Sequence, residues 1–231
     1  MPASPDESRQ GRRRLPRGRH GLPRAVVVQN QRERIFDALA AVCAARGYAA
    51  ITVEAVTAHA GVSRRTFYDL FADKEDCFIS AYDLIADRLL AVVSDAYEAG
   101  EQEWPQRLAA GLRALIELFA AEPAIARLMI VEVLAAGRRA LEHRDAALAR
   151  FAAFFEAGRA RLPAGMEGQE LLVQAVIGGL YEAFYTYILD GQTERLPELT
   201  PDLLYCALVP YLGHTAAVNA GQSARDGPDQ P

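Results

Sequence analysis

Residues 60–75 read AGVSRRTFYDLFADKE, from Ala60 to Glu75, and this stretch decides the fold. Ser63 has the side chain of a helix N-cap and opens a short helix predicted to run to about Leu70. On the other side, Thr52 is a cap for a helix reaching about His59. The link between them, Ala60-Gly61-Val62-Ser63, is a tight turn built on a glycine, so the two short helices read as a helix-turn-helix. Upstream, Ile35, Leu39 and Val42 share one face of a helix predicted over Asn30 to Arg46, which stops at Gly47. Downstream, Asp73 caps a much longer helix, along which Phe78, Tyr82, Ile85, Leu89, Val92 and Ala96 form one apolar stripe. This long helix is expected to bury a small N-terminal bundle and a larger C-terminal one, and to link them.

The same periodicity continues to the end of the chain. Helices are predicted near Gln106 to Ala121, Pro123 to Ala136, Leu141 to Leu162, Gln169 to Asp190 and Pro201 to Ala217, the last capped by Thr200. No alternating apolar and polar run bounded by turn residues stands out, so the fold class is all-α. The helix near Gln169 carries two adjacent apolar rows, Leu172, Val176, Leu180, Phe184, Ile188 and Val173, Ile177, Tyr181, Tyr185, Leu189. So wide an apolar surface needs cover on more than one side: one side serves the core and the other is a candidate subunit interface. The expected organisation is a flexible Arg-rich arm over residues 1–28, a three-helix domain built around the helix-turn-helix over 29–76, a larger helical domain over 77–217, and a disordered tail over 218–231.

Composition excludes several classes of protein. The chain has 231 residues, of which 51% are hydrophobic and 24% charged, enough for a sizeable core. Cys43, Cys77 and Cys206 are an odd number, widely spaced and without a C-x-x-C pair, so neither a disulfide framework nor a thiolate metal site is expected. A reducing cytoplasm fits this usage. The N-terminus lacks the apolar core of a secretory signal. The longest uncharged stretch, Leu203 to Ala224, contains Pro210, Gly213, His214 and Asn219, so no membrane segment is expected. The net charge of −5 conceals an asymmetry: residues 1–34 hold nine arginines against Asp6, Glu7 and Glu33, and everything after them is strongly acidic in balance. The beginning of the chain suits a polyanion.

A helix-turn-helix places the start of its second helix in the major groove, where arginine bonds bidentately to guanine and a threonine methyl meets thymine. Here that position is occupied by Ser63, Arg64, Arg65 and Thr66. Thr52, Tyr68 and Lys74, the only lysine, stand around it with groups suited to phosphates. Asp69 would repel a phosphate and His59 reads as an ordinary surface histidine, so neither joins the site. In the arm, Arg12, Arg13, Arg14, Arg17, Arg19 and Arg24 are spread among Gly and Pro, a pattern that suits a backbone-following or minor-groove segment as well as a solvated basic tail.

The order of residues from about Gln31 to Phe78 resembles the tetracycline-repressor-like (TetR) family of bacterial regulators. ARGYAAITVEAV, Ala45 to Val56, is followed by AGVSRRTFYDLF and ADKEDCF, with Gly61-Val62-Ser63, Phe67-Tyr68, Phe71 and Lys74-Glu75 placed as in the family. Val56-Thr57 and Asp69-Leu70 depart from it. The resemblance implies a homodimeric all-helical repressor that binds a palindromic operator on double-stranded DNA and leaves it when a small-molecule effector occupies the C-terminal domain. It also implies base contacts from Arg64, Arg65 and Thr66, and phosphate contacts from Thr52, Tyr68 and Lys74.

Ligand sites between helices are mostly apolar with a few polar anchors. Phe119, Met129, Phe154, Phe155, Tyr181, Phe184 and Tyr185 are the candidates to line one, together with Trp104. No catalytic motif is present, and His20, His59, His143 and His214 lack metal-ligand spacing, so neither enzyme activity nor a metal or other cofactor is expected. The competing function is a constitutive DNA-binding or interaction module whose C-terminal bundle is packed solid.

Overall fold

The structure is a computed structural model and describes residues 23–99, 103–162 and 170–226. The chain divides into two compact units, one ending at Phe78 and the other beginning at Ile79. Among the described residues there are helices and turns and no strand.

In the first unit, α1 (Arg24–Arg46) ends where Gly47 takes φ 73° and returns its N–H to the Cys43 carbonyl at 2.8 Å. A single tight turn, Tyr48–Ala50, leads to α2 (Val53–Ala60) and α3 (Arg64–Leu70). Helix α4 (Lys74–Glu98) starts in this unit and continues beyond it. Its start is a reciprocal cap: Asp73 Oδ1 accepts from the Asp76 N–H at 2.8 Å, and Asp76 Oδ2 accepts from the Ala72 N–H at 2.9 Å. Ile35, Leu39, Cys43, Val56, Phe67 and Phe78 are buried, and the Phe67 and Phe71 rings tilt together at 5.4 Å. Each such side chain contributes about 1.5–3 kcal/mol on burial, so this small aromatic core is what holds α2 and α3 on α1.

The second unit contains the rest of α4, α5 (Trp104–Ala121), α6 (Pro123–Ile130) and α7 (Arg138–Ala152), followed by α8 (Glu170–Leu189) and α9 (Thr200–Asp226). Tighter helical turns occupy Glu132–Ala135, Ala153–Arg161 and Thr193–Leu199. Helix α5 packs on α9 and on the Thr193–Leu199 turn, α6 packs on α8, and α8 packs on α9. Two glycines permit close approaches. A Cβ on Gly111 would stand 3.1 Å from the Val93 side chain, and one on Gly158 would stand 2.4 Å from the Trp104 ring.

Several elements differ from the sequence expectation, each for a local reason. Helix α1 begins at Arg24, because Pro23 holds φ −54° and its carbonyl receives the N–H groups of Val26 and Val27. The β-branched run Val26 to Val28 conceals this start from a propensity reading. Arg24 therefore stands in a helix rather than in an arm, and Arg12, Arg13, Arg14, Arg17 and Arg19 lie outside the described residues. At the other end, α9 continues to Asp226 after breaking at Gly213, where φ is 72°. Its second part packs through small residues: Ala217 is fully buried, and a Cβ on Gly221 would meet the Pro201 carbonyl at 2.9 Å. Residues 218–226 are thus helical, where a search for large apolar side chains predicts a loose tail. Thr200 does not cap α9 but sits inside it, its hydroxyl donating to the Pro197 carbonyl at 2.9 Å, because the preceding turn runs directly into the helix. On α4 the buried line runs through Tyr82, Ala86, Leu89, Val93 and Tyr97, leaving Ile85, Val92 and Ala96 half-buried. A helix of 3.6 residues per turn drifts away from a strict 4, 3 alternation.

Candidate DNA interface and apolar cavity

In the first unit the local chemistry of capping presents the helix α3 to solvent. Ser63 sits in extended conformation (φ −77°, ψ 155°) with its hydroxyl accepting the Thr66 N–H at 3.0 Å, and the Ser63 and Thr66 hydroxyls are 2.9 Å apart. Thr52 repeats the arrangement on α2, accepting from Ala55 N–H at 3.1 Å. Gly61 takes the left-handed conformation (φ 62°, ψ 39°), and Val62 N–H returns to the Thr57 carbonyl at 3.1 Å, which closes α2 and turns the chain into α3.

Phe67 anchors α3 from below, so the opposite side of that short helix faces outward. Arg64, Arg65 and Ser63 are exposed, Thr66 is half-buried, and Tyr68 is 50% exposed with its ring edge-on to Phe67. Thr52 is exposed. Lys74 is half-buried: its Nζ donates to the Ile51 carbonyl at 3.3 Å and lies 4.7 Å from the centre of the Tyr48 ring. An ammonium carries three N–H donors, so these contacts hold Lys74 in place and leave donors for a phosphate. The solvent-facing set is an unobstructed array of donors, with two guanidinium groups on the first turn of a rigidly capped helix.

Arg34 was not legible as part of this device. From α1 its guanidinium donates to the Ala60 carbonyl and, at 2.9 Å, to the Gly61 carbonyl, bridging the end of α2 and the turn. Both acceptors are backbone groups, which explains why no side-chain pattern announces the contact. Arg34→Ala is expected to lower the stability of the N-terminal domain by about 1–3 kcal/mol, since charge-assisted hydrogen bonds to helix-end carbonyls are lost. Arg34→Lys is expected to recover part of that, and thermal unfolding of the three proteins measures the order.

The second unit holds a cavity of about 110 Å3. Of the residues anticipated, Phe119, Met129, Phe154, Phe155, Tyr181 and Phe184 line it. Tyr185 does not: on α8 the lining runs through Ile177, Leu180, Tyr181 and Phe184, and Tyr185 is rotated by about 100° from Phe184. Trp104 also stands outside, donating from Nε1 to the Phe154 carbonyl at 2.9 Å and meeting the Tyr211 ring edge-on. The residues not anticipated include Tyr82, Tyr97, Leu108, Leu112, Leu115 and Ile177, all at helical spacing on α4, α5 and α8. The row Leu108, Leu112, Leu115, Phe119 is a sequence signal that identifies α5 as a wall.

Among the described side chains that line the cavity, the polar ones are three tyrosines, Tyr82, Tyr97 and Tyr181. Tyr181 donates its hydroxyl to the Ile130 carbonyl at 2.5 Å, and burial pushes its phenol up to about 12, with the nearby Arg144 acting in the opposite direction. Burial also pushes the Tyr82 phenol upward. These rings are neutral hydrogen-bonding groups in an apolar wall. Among the described residues no group of three or more His, Cys, Asp or Glu side chains is gathered to hold a metal.

Helix α8 has a second face. Leu171 is 73% exposed, and Ala175, Gly178, Glu182, Thr186 and Leu189 continue the exposed line, with open space around Gly178 and Gly179. Among the described residues, Leu171–Leu189 is the one helix long and apolar enough to cross a membrane by length and composition. The longest charge-free stretch, Leu203 to Ala224, is a different one, because Glu182 interrupts this helix. Val173, Phe184 and Ile188 are buried and Ile177, Leu180 and Tyr181 face the cavity, so one side of the helix is core.

A capped helix-turn-helix with an arginine-bearing second helix, followed by a helical bundle, defines a helical DNA-binding regulator. Residues 35–81 match the family described as bacterial regulatory proteins, tetR family, and this N-terminal domain belongs to that family. Solved structures agree on the fold. The fatty acid degradation regulator FadR from Bacillus halodurans is 20% identical, with a TM-score of 0.66 over 78% of this chain and 94% of that one. FadR from Bacillus subtilis, solved in complex with stearoyl-CoA, is also 20% identical, with a TM-score of 0.64 over 78% and 98%. NalD from Pseudomonas aeruginosa, the secondary repressor of the MexAB-OprM multidrug efflux pump, is 17% identical, with a TM-score of 0.62 over 80% and 98%. No curated protein matches the chain.

Proposed function

We propose that the chain is a cytoplasmic homodimeric repressor that binds a palindromic operator and is released when a small molecule fills the cavity of its second unit. The observation that carries this reading is the combination, in one chain, of an outward-facing Arg64-Arg65 pair on a capped helix and an apolar cavity. Arg64, Arg65 and Thr66 read bases, and Thr52, Ser63, Tyr68 and Lys74 hold the backbone. Phe119, Met129, Phe154, Phe155, Tyr181 and Phe184 contact the effector. The likeness to one FadR solved with an acyl-CoA and to a repressor of an efflux pump supports a ligand-responsive role, while the cavity's own chemistry sets which ligand.

The exposed face of α8 supplies the dimer contact in this reading. Small residues at Ala175 and Gly178 let a partner helix approach closely, and Leu171 and Leu189 give it apolar area. A dimer places two copies of α3 on one face of DNA, one helical turn or about 34 Å apart. Effector must favour the arrangement that misses this spacing, because a ligand with equal affinity for both states shifts nothing. Footprinting on the DNA upstream of the protein's own gene, with the oligomeric state measured in parallel, tests the reading. A palindromic footprint and a dimer support it; a monomer indifferent to duplex sequence at moderate salt defeats it.

The arm takes its place here as a proposal. Deleting residues 1–22 is expected to weaken operator binding and to flatten the plot of log K against log salt by about 0.9 for each phosphate contact removed. An unchanged slope shows that Arg12, Arg13, Arg14, Arg17 and Arg19 are a solvated tail.

A further inference from the structure

Resting on the reading of the cavity as an effector site, we infer that the effector is electrically neutral, and that anionic compounds of the same shape are excluded. Among the described residues no charged side chain lines the cavity, and the side-chain hydrogen-bonding groups that do are the hydroxyls of Tyr82, Tyr97 and Tyr181. One of these, Tyr181, is already bonded to the Ile130 carbonyl.

Charge is available on the helices that wall the cavity, but each group is held by a partner and none lines the cavity among the described residues. Arg88 pairs with Glu122, Arg127 with Glu132 at 2.9 Å and Arg150 with Asp87 at 2.7 Å, while Arg144 pairs with Asp145 at 2.6 Å and stands behind Tyr181, 5.7 Å from the centre of its ring. Arg107 donates to the Tyr97 carbonyl at 2.9 Å and stacks on that ring, 4.3 Å from its centre. Arg113 lines a separate hollow beside Glu117 and Glu198. A carboxylate entering the cavity would lose its water and gain no cation, whereas an alcohol, ketone, ester or hydrocarbon loses little. The same apolar wall that attracts an alkyl or aromatic body therefore discriminates by charge.

The test uses a matched pair of probes, 1-decanol and decanoate, titrated calorimetrically into the full-length protein between about pH 6 and pH 8. A carboxylic acid that must bind in its protonated form loses about tenfold in affinity for each pH unit above its own pKa. Decanoate is expected to show that slope and decanol to show none. Any contribution from His143, which joins α7 to α4 through Asp83 at 2.8 Å and does not line the cavity, is common to both probes. Binding of decanol is also expected to fall at least tenfold in Ala147→Phe and in Leu148→Trp, two separate fillings of the same space, each first checked for a cooperative thermal transition. Decanoate binding that is flat with pH and as tight as decanol overturns neutrality and leaves the effector cavity standing. Failure of both probes to bind, or decanol binding untouched by both fillings, overturns the inference together with the effector cavity.

Discussion

Replacing Arg64 and Arg65 together by alanine is expected to reduce operator binding to the level seen with unrelated duplex. Both side chains are exposed on the first turn of α3, and among the described residues neither makes a side-chain hydrogen bond or ion pair, so their removal leaves the fold intact. A bidentate arginine-to-guanine contact is worth about 1–3 kcal/mol of discrimination, and a homodimer makes each contact twice. Four such contacts approach the whole gap of about 4–10 kcal/mol that separates specific from non-specific binding. The single substitutions each remove two such contacts, about 2–6 kcal/mol, and are expected to cost about 30-fold or more, with loss of preference confined to one or two base pairs per half-site. Electrophoretic mobility shifts on the operator and on a scrambled duplex read this directly, alongside thermal unfolding to show an unchanged protein. Ser63→Ala provides the contrast: it removes a cap worth about 1 kcal/mol and lowers stability without changing which bases are preferred. A double variant that still selects the operator removes α3 from its assigned place.

The contrast between those variants mirrors what was legible in the sequence. The helix-turn-helix announces itself because its signals are local: Thr52, Ser63 and Asp73 each cap within three residues, and Gly61 supplies a left-handed turn that other residues rarely adopt. The core of that unit is equally readable, since Ile35, Leu39, Phe67 and Phe78 recur at helical spacing and are all buried. What escaped depends on contacts between segments distant in sequence. Arg34 reaches backbone carbonyls 26 and 27 residues away, and no side-chain pattern encodes a carbonyl. The second half of α9 is held by Ala217 and by the approach of Gly221 to Pro201, and small residues carry no hydrophobic signal in a sequence read for large ones. The cavity lies between these cases. Six aromatic and Met positions were found by type, but whether Tyr181 or Tyr185 faces inward is set by the rotation of α8 against α6 and α9, to which the two apolar rows of that helix are equally suited. Tyr82 and Ile177 carry no comparable mark, because nothing within α4 or α8 alone tells which of its apolar residues will be left beside a void.

Ala147→Phe is expected to yield a repressor that binds its operator and cannot be released. Ala147 is buried on α7 and lines the cavity, so a phenyl group there projects into space that the ligand needs. Filling an existing void avoids part of the usual overpacking cost of about 1–3 kcal/mol, and the variant should therefore melt within a few degrees of the parent. Release is an equilibrium matter: moving a population from bound-competent to incompetent at 99:1 from 1:99 requires about 10⁴-fold preferential binding, or about 5.5 kcal/mol. A ligand excluded from the cavity contributes none of it. The measurement is fluorescence anisotropy of labelled operator during titration with 1-decanol, or with any compound that raises the parent's melting temperature. The parent should lose DNA along the titration and Ala147→Phe should retain it at concentrations at least a hundredfold higher. Equal release from both proteins would place the effector somewhere other than this cavity. A variant that loses operator affinity without ligand would mean that the filled cavity itself mimics the released state, and α7 would then be part of the transmission from ligand to DNA.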